Sequence, residues 1–378
     1  MSWAEHHNES ERLASAAEAA YKTGNESQAL ELYISAAKAE QAALAELDKS
    51  KTRTLGITVV SAVSLFYKGR DYKSAQDLAC LHLAEPSLPG FAVSDLRNLL
   101  QSVWGSEAIE AAGLKFARED VFVSVKGGEV LTGGAPLDLV LRKVEEVRAL
   151  FYRTVEFMMS RPLRRHGGPS LEIQDYFRPW LFQAPPGSYQ FAVRLESPKQ
   201  MELGVVEGHF PTSGEVTAKF LEIVSSTAKD PEGELNQIVP DTGYRNTFLK
   251  LTRNLAPTGK GFSELEIKSN ARAGLGVLVL IPESRKALNQ SIRNERVSSG
   301  TASEGRDVTL NGLLRAVHLD QDWIEITLAE DPTRHIRIEK AGEAIDDLVG
   351  PMVNHRVIVD AVESPTGKML FKDIQPAE

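Results

Sequence analysis

Four residues separate Arg161 from His166 at the end of a helical pattern. A guanidinium can clamp a phosphate and an imidazole can move a proton beside it, so this pair could act on a scissile phosphodiester. The chain has 8 histidines, so one such spacing arises by chance, and a solvated basic loop accounts for it equally well. Arg164, Arg165 and Arg178 lie in the same stretch, beside Tyr176, Phe177 and Trp180. Mixed basic and aromatic side chains suit stacking on single-stranded nucleic acid or gripping an anionic partner. The plain alternative places the aromatic rings in a core and the arginines in water.

Other chemistry-bearing residues are sparser. Glu172 and Asp175 could be paired carboxylates, but no third ligand stands at a sensible spacing. His6 and His7, beside Glu5, read as a frayed terminus. Asp320 and Asp322 sit where a hairpin turn belongs. His318, His335 and His355 fall on three separate strands and meet only if register brings them together. Cys80, between Ala79 and Leu81 in an apolar helix, reads as a small core residue. Phosphate-binding glycine loops, a nucleophile-elbow serine, Cys-x-x-Cys and His-Glu-x-x-His are all missing from the sequence. The expectation is therefore no cofactor and no metal.

Charge is unevenly distributed. Residues 1–110 carry a net −5, 111–200 carry +3, 201–300 carry 0 and 301–378 carry −7. Neutralisation of phosphates by Lys and Arg supplies most nucleic-acid affinity, so only the middle could hold a polyanion, through residues 142–180. The single cysteine rules out an internal disulfide. A polar start and the short length of the longest apolar run, Leu275 to Ile281, point to a cytoplasmic protein without a membrane partner.

These residues need elements to hold them. Residues 10–47 are rich in alanine and poor in β-branched residues, which predicts two helices, Glu9–Lys22 and Glu26–Leu47, broken at Thr23-Gly24-Asn25. A second pair follows over 52–67 and 72–83, then a helix over 95–103 capped by Ser94, and a connector over 105–120. From Val121 the period changes to two, and Gly127-Gly128 predicts a hairpin with Glu129–Leu131 as its return strand. After Pro136, Leu137, Leu141, Val144, Val147, Phe151, Val155 and Met158 recur at helical steps, while Arg142, Lys143, Glu145, Glu146, Arg153 and Glu156 fill the outer positions. A turn at 185–188, strands at 189–195 and 203–206, a helix capped by Ser213, a helix over 243–255, and strands at 263–268 and 275–281 come next. The last of these reads as covered on both faces. A helix over 283–296 ends this stretch. Five short strands follow, at about 308–317, 323–328, 335–339, 355–362 and 369–374, with Gly312 as a bulge or corner and a helix near 344–349.

Ala20, Gly24, Ala29, Tyr33 and Ala36 resemble the small–Gly–Ala–aromatic–Ala spacing of a tetratricopeptide repeat. Tyr72, Ala75, Ala79 and Pro86 resemble a second copy that starts about 45 residues later, against the usual period of about 34. The early Trp and Leu-Gly of that family are absent. The same first hairpin also resembles a microtubule-interacting-and-trafficking domain. Either resemblance implies a module that holds other proteins. The spacing of Arg161 and His166 resembles that of HEPN-type ribonucleases, although Pro162 stands where that family favours a polar residue.

The expected fold class is multi-domain α+β. An N-terminal α-helical repeat module covers 1–110, a central α+β domain 121–296, a linker 297–306 and a small C-terminal β-barrel of OB or SH3-like kind 307–378. The expected function is a non-catalytic adaptor whose residues 1–110 bind a protein partner, or the chain's own middle domain. The alternative is a nuclease-like or RNA-binding effector, with Arg161 and His166 as its catalytic pair and Arg164, Arg165, Tyr176, Arg178 and Trp180 as its binding residues.

Overall fold

A computed structural model describes residues 2–48, 50–113, 120–131, 133–183, 189–196, 210–269, 277–298, 305–342 and 345–377. The turn expected at 185–188, the strand expected at 203–206 and residues 299–304 of the expected linker lie outside them. The chain divides into two compact units, Met1–Leu114 and Lys115–Glu378.

The first unit is a succession of packed helical pairs: α1 (Trp3–Lys22), α2 (Glu26–Ala45), α3 (Thr52–Lys68), α4 (Tyr72–Leu83) and α5 (Gly90–Ala111). Each helix packs on the next, and α5 also packs on α3. Alanine sets the closeness of the first pair, with Ala17 and Ala20 facing Ala29, Ala36 and Ala37, all buried. Between α1 and α2 the chain reverses at Gly24, whose φ of +83° favours glycine. Asn25 then caps α2 by accepting from the Gln28 N–H.

Three expectations fail here, each for a packing reason. The start is not frayed, because Ser2 and Glu5 form a capping box and His7 reaches across to the buried Glu40 at 3.0 Å. The last helix begins at Gly90 and runs to Ala111, well beyond 95–103. Its buried row, Ala92, Leu96, Leu100 and Val103, extends on both sides of the expected bounds. Cys80 is exposed, because α4 buries Ala75, Leu78 and Ala79 and so turns the next residue outward.

The second unit is mixed α and β, with two sheets. The first sheet is antiparallel, in the order β2 (Pro179–Gln183), β3 (Gln190–Leu195), β1 (Val121–Lys126), β4 (Glu264–Ser269), β5 (Leu278–Leu280). The hairpin expected after β1 does not form. Gly127 and Gly128, at φ +73° and +63°, swing the chain toward residues 261–263, and the Glu129 N–H donates to the Gly261 carbonyl. The neighbours of β1 are the distant strands β3 and β4. β5 is an edge strand and is not covered on both faces: Leu278 and Leu280 are buried, whereas Val277, Val279 and Ile281 are exposed.

Helices α6 (Leu137–Met158), α8 (Ser213–Lys229), α10 (Thr242–Leu255) and α11 (Pro282–Ser298) pack side by side. The short helices α7 (Leu171–Tyr176) and α9 (Glu234–Ile238) connect the larger elements. Thr212, rather than Ser213, caps α8, in a capping box with Glu215. One continuous buried cluster joins Val121, Val123 and Val125 of the sheet, Leu150, Phe220 and Phe248 of the helices, and Ile324, Ile326 and Val359 of the second sheet. The helices are thus apolar toward both sheets. That overturns the expected outer face of α6: Lys143, Glu146, Arg153 and Glu156 are buried, while Leu137 and Leu141 are exposed.

The second sheet is a closed ring of five strands, in the order β10 (Met369–Pro376), β8 (His335–Glu339), β7 (Trp323–Leu328), β6 (Arg306–His318), β9 (Arg356–Glu363). β10 pairs antiparallel with β9 and parallel with β8. The long β6 serves β9 through Arg306–Leu313 and β7 through Gly312–His318, and it bends where the two ladders overlap. Gly312 marks that overlap, but the bulge itself falls between Leu314 and Ala316. A short helix, α12 (Ile345–Leu348), precedes β9.

Candidate functional site

The basic stretch singled out in the sequence goes mostly into structure. Arg153 of α6 is fully buried and donates to Asp347 at 2.6 Å, to Glu156 at 3.1 Å and to the Arg164 carbonyl at 2.8 Å. Arg164 donates to Glu156 at 2.8 Å, to Asp347 at 3.2 Å and to the Gly167 carbonyl. Two guanidinium groups and two carboxylates thus form a closed cluster between α6, the 161–167 loop and α12. Burial opposes the charge on Arg164, but Asp347 and Glu156 outweigh it and raise its pKa. The Arg165 carbonyl accepts from the Ile345 N–H, while its side chain is exposed. Arg164 is therefore a strut rather than a ligand-binding group.

Arg161 is paired with Glu172 at 3.1 Å, which also removes Glu172 from any carboxylate pair with the exposed Asp175. His166 is exposed, and no hydrogen bond or ion pair joins it to Arg161, Glu172 or Arg178 among the described residues. The Arg161 carbonyl accepts from the Tyr244 hydroxyl at 2.9 Å. Burial, and then the nearby Glu156, push the pKa of that phenol upward. Phe177 is buried and Tyr176 packs on Phe210 with ring centres 5.5 Å apart. Trp180 lies on β2, which sequence reasoning missed because Pro179 opens it. Its indole N–H donates to Glu196 and Arg178 lies 5.6 Å from its ring. The sequence thus named two residues, Arg178 and Trp180, that lie side by side, and scattered the rest.

A second buried cluster had no sequence signal beyond arginines at helical positions. Arg253 of α10 is fully buried, donates to Asp373 of β10, and reaches the Ile374 carbonyl at 2.6 Å. Arg285 of α11 holds the Arg253 and Ala256 carbonyls, each at 3.0 Å, and Gln375 at 3.2 Å. Lys143 donates to Glu146 at 2.9 Å and to the Asn254 carbonyl at 2.6 Å. Removing one partner from such a cluster leaves an uncompensated buried charge.

The remaining candidates do not assemble. His318 packs against Trp323, His335 bonds Thr327 at 3.1 Å, and His355 contributes backbone hydrogen bonds. Asp322 holds its turn by accepting from the Gly342 N–H at 2.6 Å. Among the described residues, no three His, Cys, Asp or Glu side chains are placed to hold a metal ion.

The first unit contains a groove. Val60 and Ser64 of α3 and Asp95, Asn98, Leu99 and Ser102 of α5 line a shallow pocket of about 290 Å³. These positions recur at steps of three and four, so they form facing helical ridges. The helices are drawn together where Gly56 meets Ala92; a Cβ added to Gly56 would lie 2.9 Å from the Ala92 Cβ and 3.1 Å from the Phe91 ring. Ile57 and Phe91, both about half exposed, stand at that same end of the helix pair. Among the described residues, no helix is long and apolar enough to cross a membrane. No protein-family model matches this chain, and no match was found among the curated proteins or the solved structures.

Proposed function

We propose that this chain is a non-catalytic adaptor whose helical unit receives an amphipathic helix of a partner protein in the α3–α5 groove. The observation that carries this reading is the groove itself: an apolar floor of Val60 and Leu99, a polar rim, and exposed Ile57 and Phe91 near one end. Anchors at such spacing are the usual way a groove grips one face of a helix. Asp95 on the rim and the net −5 of residues 1–110 favour a basic partner helix.

The tetratricopeptide-like reading is supported by burial at the positions that carry the resemblance: Ala20, Ala29, Tyr33, Ala36, Ala75 and Ala79. A trafficking-type three-helix domain shares the first hairpin. For the ring, the OB kind is favoured over the SH3-like kind. Its first strand pairs with the second and fourth, its third lies parallel to its fifth, and a helix joins the third to the fourth. In this reading the acidic ring is a second protein-contact module.

The test places a photo-crosslinking residue at Ser102 and identifies the peptides captured in cells. A basic amphipathic segment should be recovered, and the same segment as an isolated peptide should bind the full chain. Leu99→Glu should weaken that binding at least tenfold while the helical circular dichroism stays native. Loss of the reading follows if capture is unchanged by Leu99→Glu, or if no captured segment depends on residues 1–110.

A further inference from the structure

We propose that the open edge of the first sheet, at β5, pairs with the same edge of a second copy of this chain. Among the described residues the backbone of Leu278–Leu280 is hydrogen-bonded to β4 alone, so the other side of the strand still offers its N–H and C=O groups. The ring is closed and has no such side. The opposite edge of the sheet, β2, opens on Pro179, which has no N–H to give. β5 carries neither a proline nor a charge, the devices that normally keep an edge from pairing. Only Pro282, just past its end, limits its length.

This edge is its own complement. In Val277-Leu278-Val279-Leu280-Ile281, an antiparallel pairing centred on Val279 sets Val279 against Val279, Val277 against Ile281 and Leu278 against Leu280. Paired residues fall on the same face, because both members are odd-numbered or both even-numbered. Leu278 and Leu280 are buried toward the helices, while Val277, Val279 and Ile281 are 52%, 40% and 38% exposed on the outer face. Pairing lays three β-branched side chains from each copy against one another, the kind of cross-strand contact that stabilises a sheet. The two copies are related by a two-fold axis, and the contact closes on itself.

Charge does not oppose the contact. Glu266 stands opposite Val279 on β4, and Lys126 of β1 pairs with it and with Glu264. The Glu266 side chains of the two copies are three strand spacings apart, about 14 Å, beyond the Debye length of about 8 Å at physiological salt. In the first turn of α11, which follows directly, Glu283 and Lys286 are both exposed, so each copy brings both signs of charge to the flank. An apolar centre within a polar rim is the usual build of a protein contact. The paired surface is small, so the dimer is a weak one. This edge lies in the second unit and does not depend on the helical groove.

The experiment is sedimentation velocity of the full chain from about 5 to 200 micromolar, a range that reveals a weak, small interface. The chain should move from monomer toward dimer and no further. Val279→Lys sets two like charges directly opposite each other, and it should weaken the dimer about tenfold or more while circular dichroism stays native. Register is read by disulfide trapping with an added thiol oxidant, in a Cys80→Ser background. Directly opposite Cα atoms lie about 4.5–5.5 Å apart, within disulfide reach, so Val279→Cys should link to itself. Two copies of Val277→Cys stand about 13 Å or more apart and should not link, whereas Val277→Cys mixed with Ile281→Cys should. The proposal is overturned if the native chain is monomeric throughout the range. It is also overturned if a dimer forms that folded Val279→Lys leaves unchanged, or if Val277→Cys links to itself as readily as Val279→Cys. A photo-crosslinker at Val279 that captures a different protein, from a chain that stays monomeric, assigns the edge to that partner and overturns the second copy.

Discussion

Asp347→Asn tests whether the cluster around Arg153 holds the ring to the helices. In the native chain Arg153 and Arg164 are balanced by Glu156 and Asp347. The variant leaves two guanidinium groups facing one carboxylate. Arg153 is fully buried and Arg164 largely so, and water therefore screens the imbalance poorly. Breaking one member of a buried pair costs about 3–5 kcal/mol. For a unit of this size each kcal/mol moves the melting temperature by about 2–4 °C, so a fall of about 6–20 °C is expected. Trp180 reports on the sheet and Trp323 on the ring, so fluorine-labelled tryptophan signals would follow both parts during urea unfolding. Replacing all four charged residues together with Met and Leu should cost less than Asp347→Asn alone, because no orphaned charge remains. A loss below about 1 kcal/mol for Asp347→Asn would refute the reasoning. So would a quadruple variant less stable than the single one.

Three further outcomes are expected. Gly128→Ala, at φ +63° with its new Cβ 2.7 Å from the Gly261 carbonyl carbon, should destabilise the second unit by about 2 kcal/mol or more in chemical denaturation. Gly56→Val should push α5 away from α3, destabilising the first unit by about 1–3 kcal/mol and weakening any ligand of the groove in the same titration. Burial raises the folded pKa of Tyr244 above the ordinary phenol value of about 10, so its contribution is present below that pH. That contribution is lost as the unfolded chain begins to ionise above it. Melting temperature should therefore fall less steeply above pH 10 in Tyr244→Phe than in the native chain, although the variant starts lower for lack of its bond to Arg161.

What the sequence disclosed follows from how far each element depends on its neighbours. Trp323–Leu328 and His335–Glu339 alternate cleanly because one face meets the ring core and the other meets water, and both strands have the bounds their pattern predicts. The alanine-rich hairpins were legible for a similar reason: small residues at three- and four-residue steps have one obvious use. The β1 hairpin was misread because Gly127-Gly128 is a strong local signal for a turn, whereas the partners of β1 lie about 70 and 140 residues away in sequence. α6 misled for the opposite reason. Its charged residues Lys143, Glu146, Arg153 and Glu156 look solvated to any local pattern, and only partners on distant segments such as Asn254 and Asp347 make their burial tolerable. The candidate site divided along the same line. Arg178 and Trp180 were visible as a basic–aromatic pair, whereas Arg153 and Arg164 meet Asp347 only through contacts some 180 to 190 residues away in sequence.

The parallel pairing of β10 with β8 bears on how the molecule is made. β10 is the last ring strand to be synthesised, and it supplies Asp373, the Ile374 carbonyl and Gln375 to arginines of helices made much earlier. Until that strand emerges from the ribosome, Arg253 lacks Asp373 and the Ile374 carbonyl, Arg285 lacks Gln375, and the edges of β8 and β9 that pair with β10 are open. Loss of β10 would thus remove the carboxylate that pairs with the buried Arg253 and expose the strand edges of β8 and β9 to pairing with other chains.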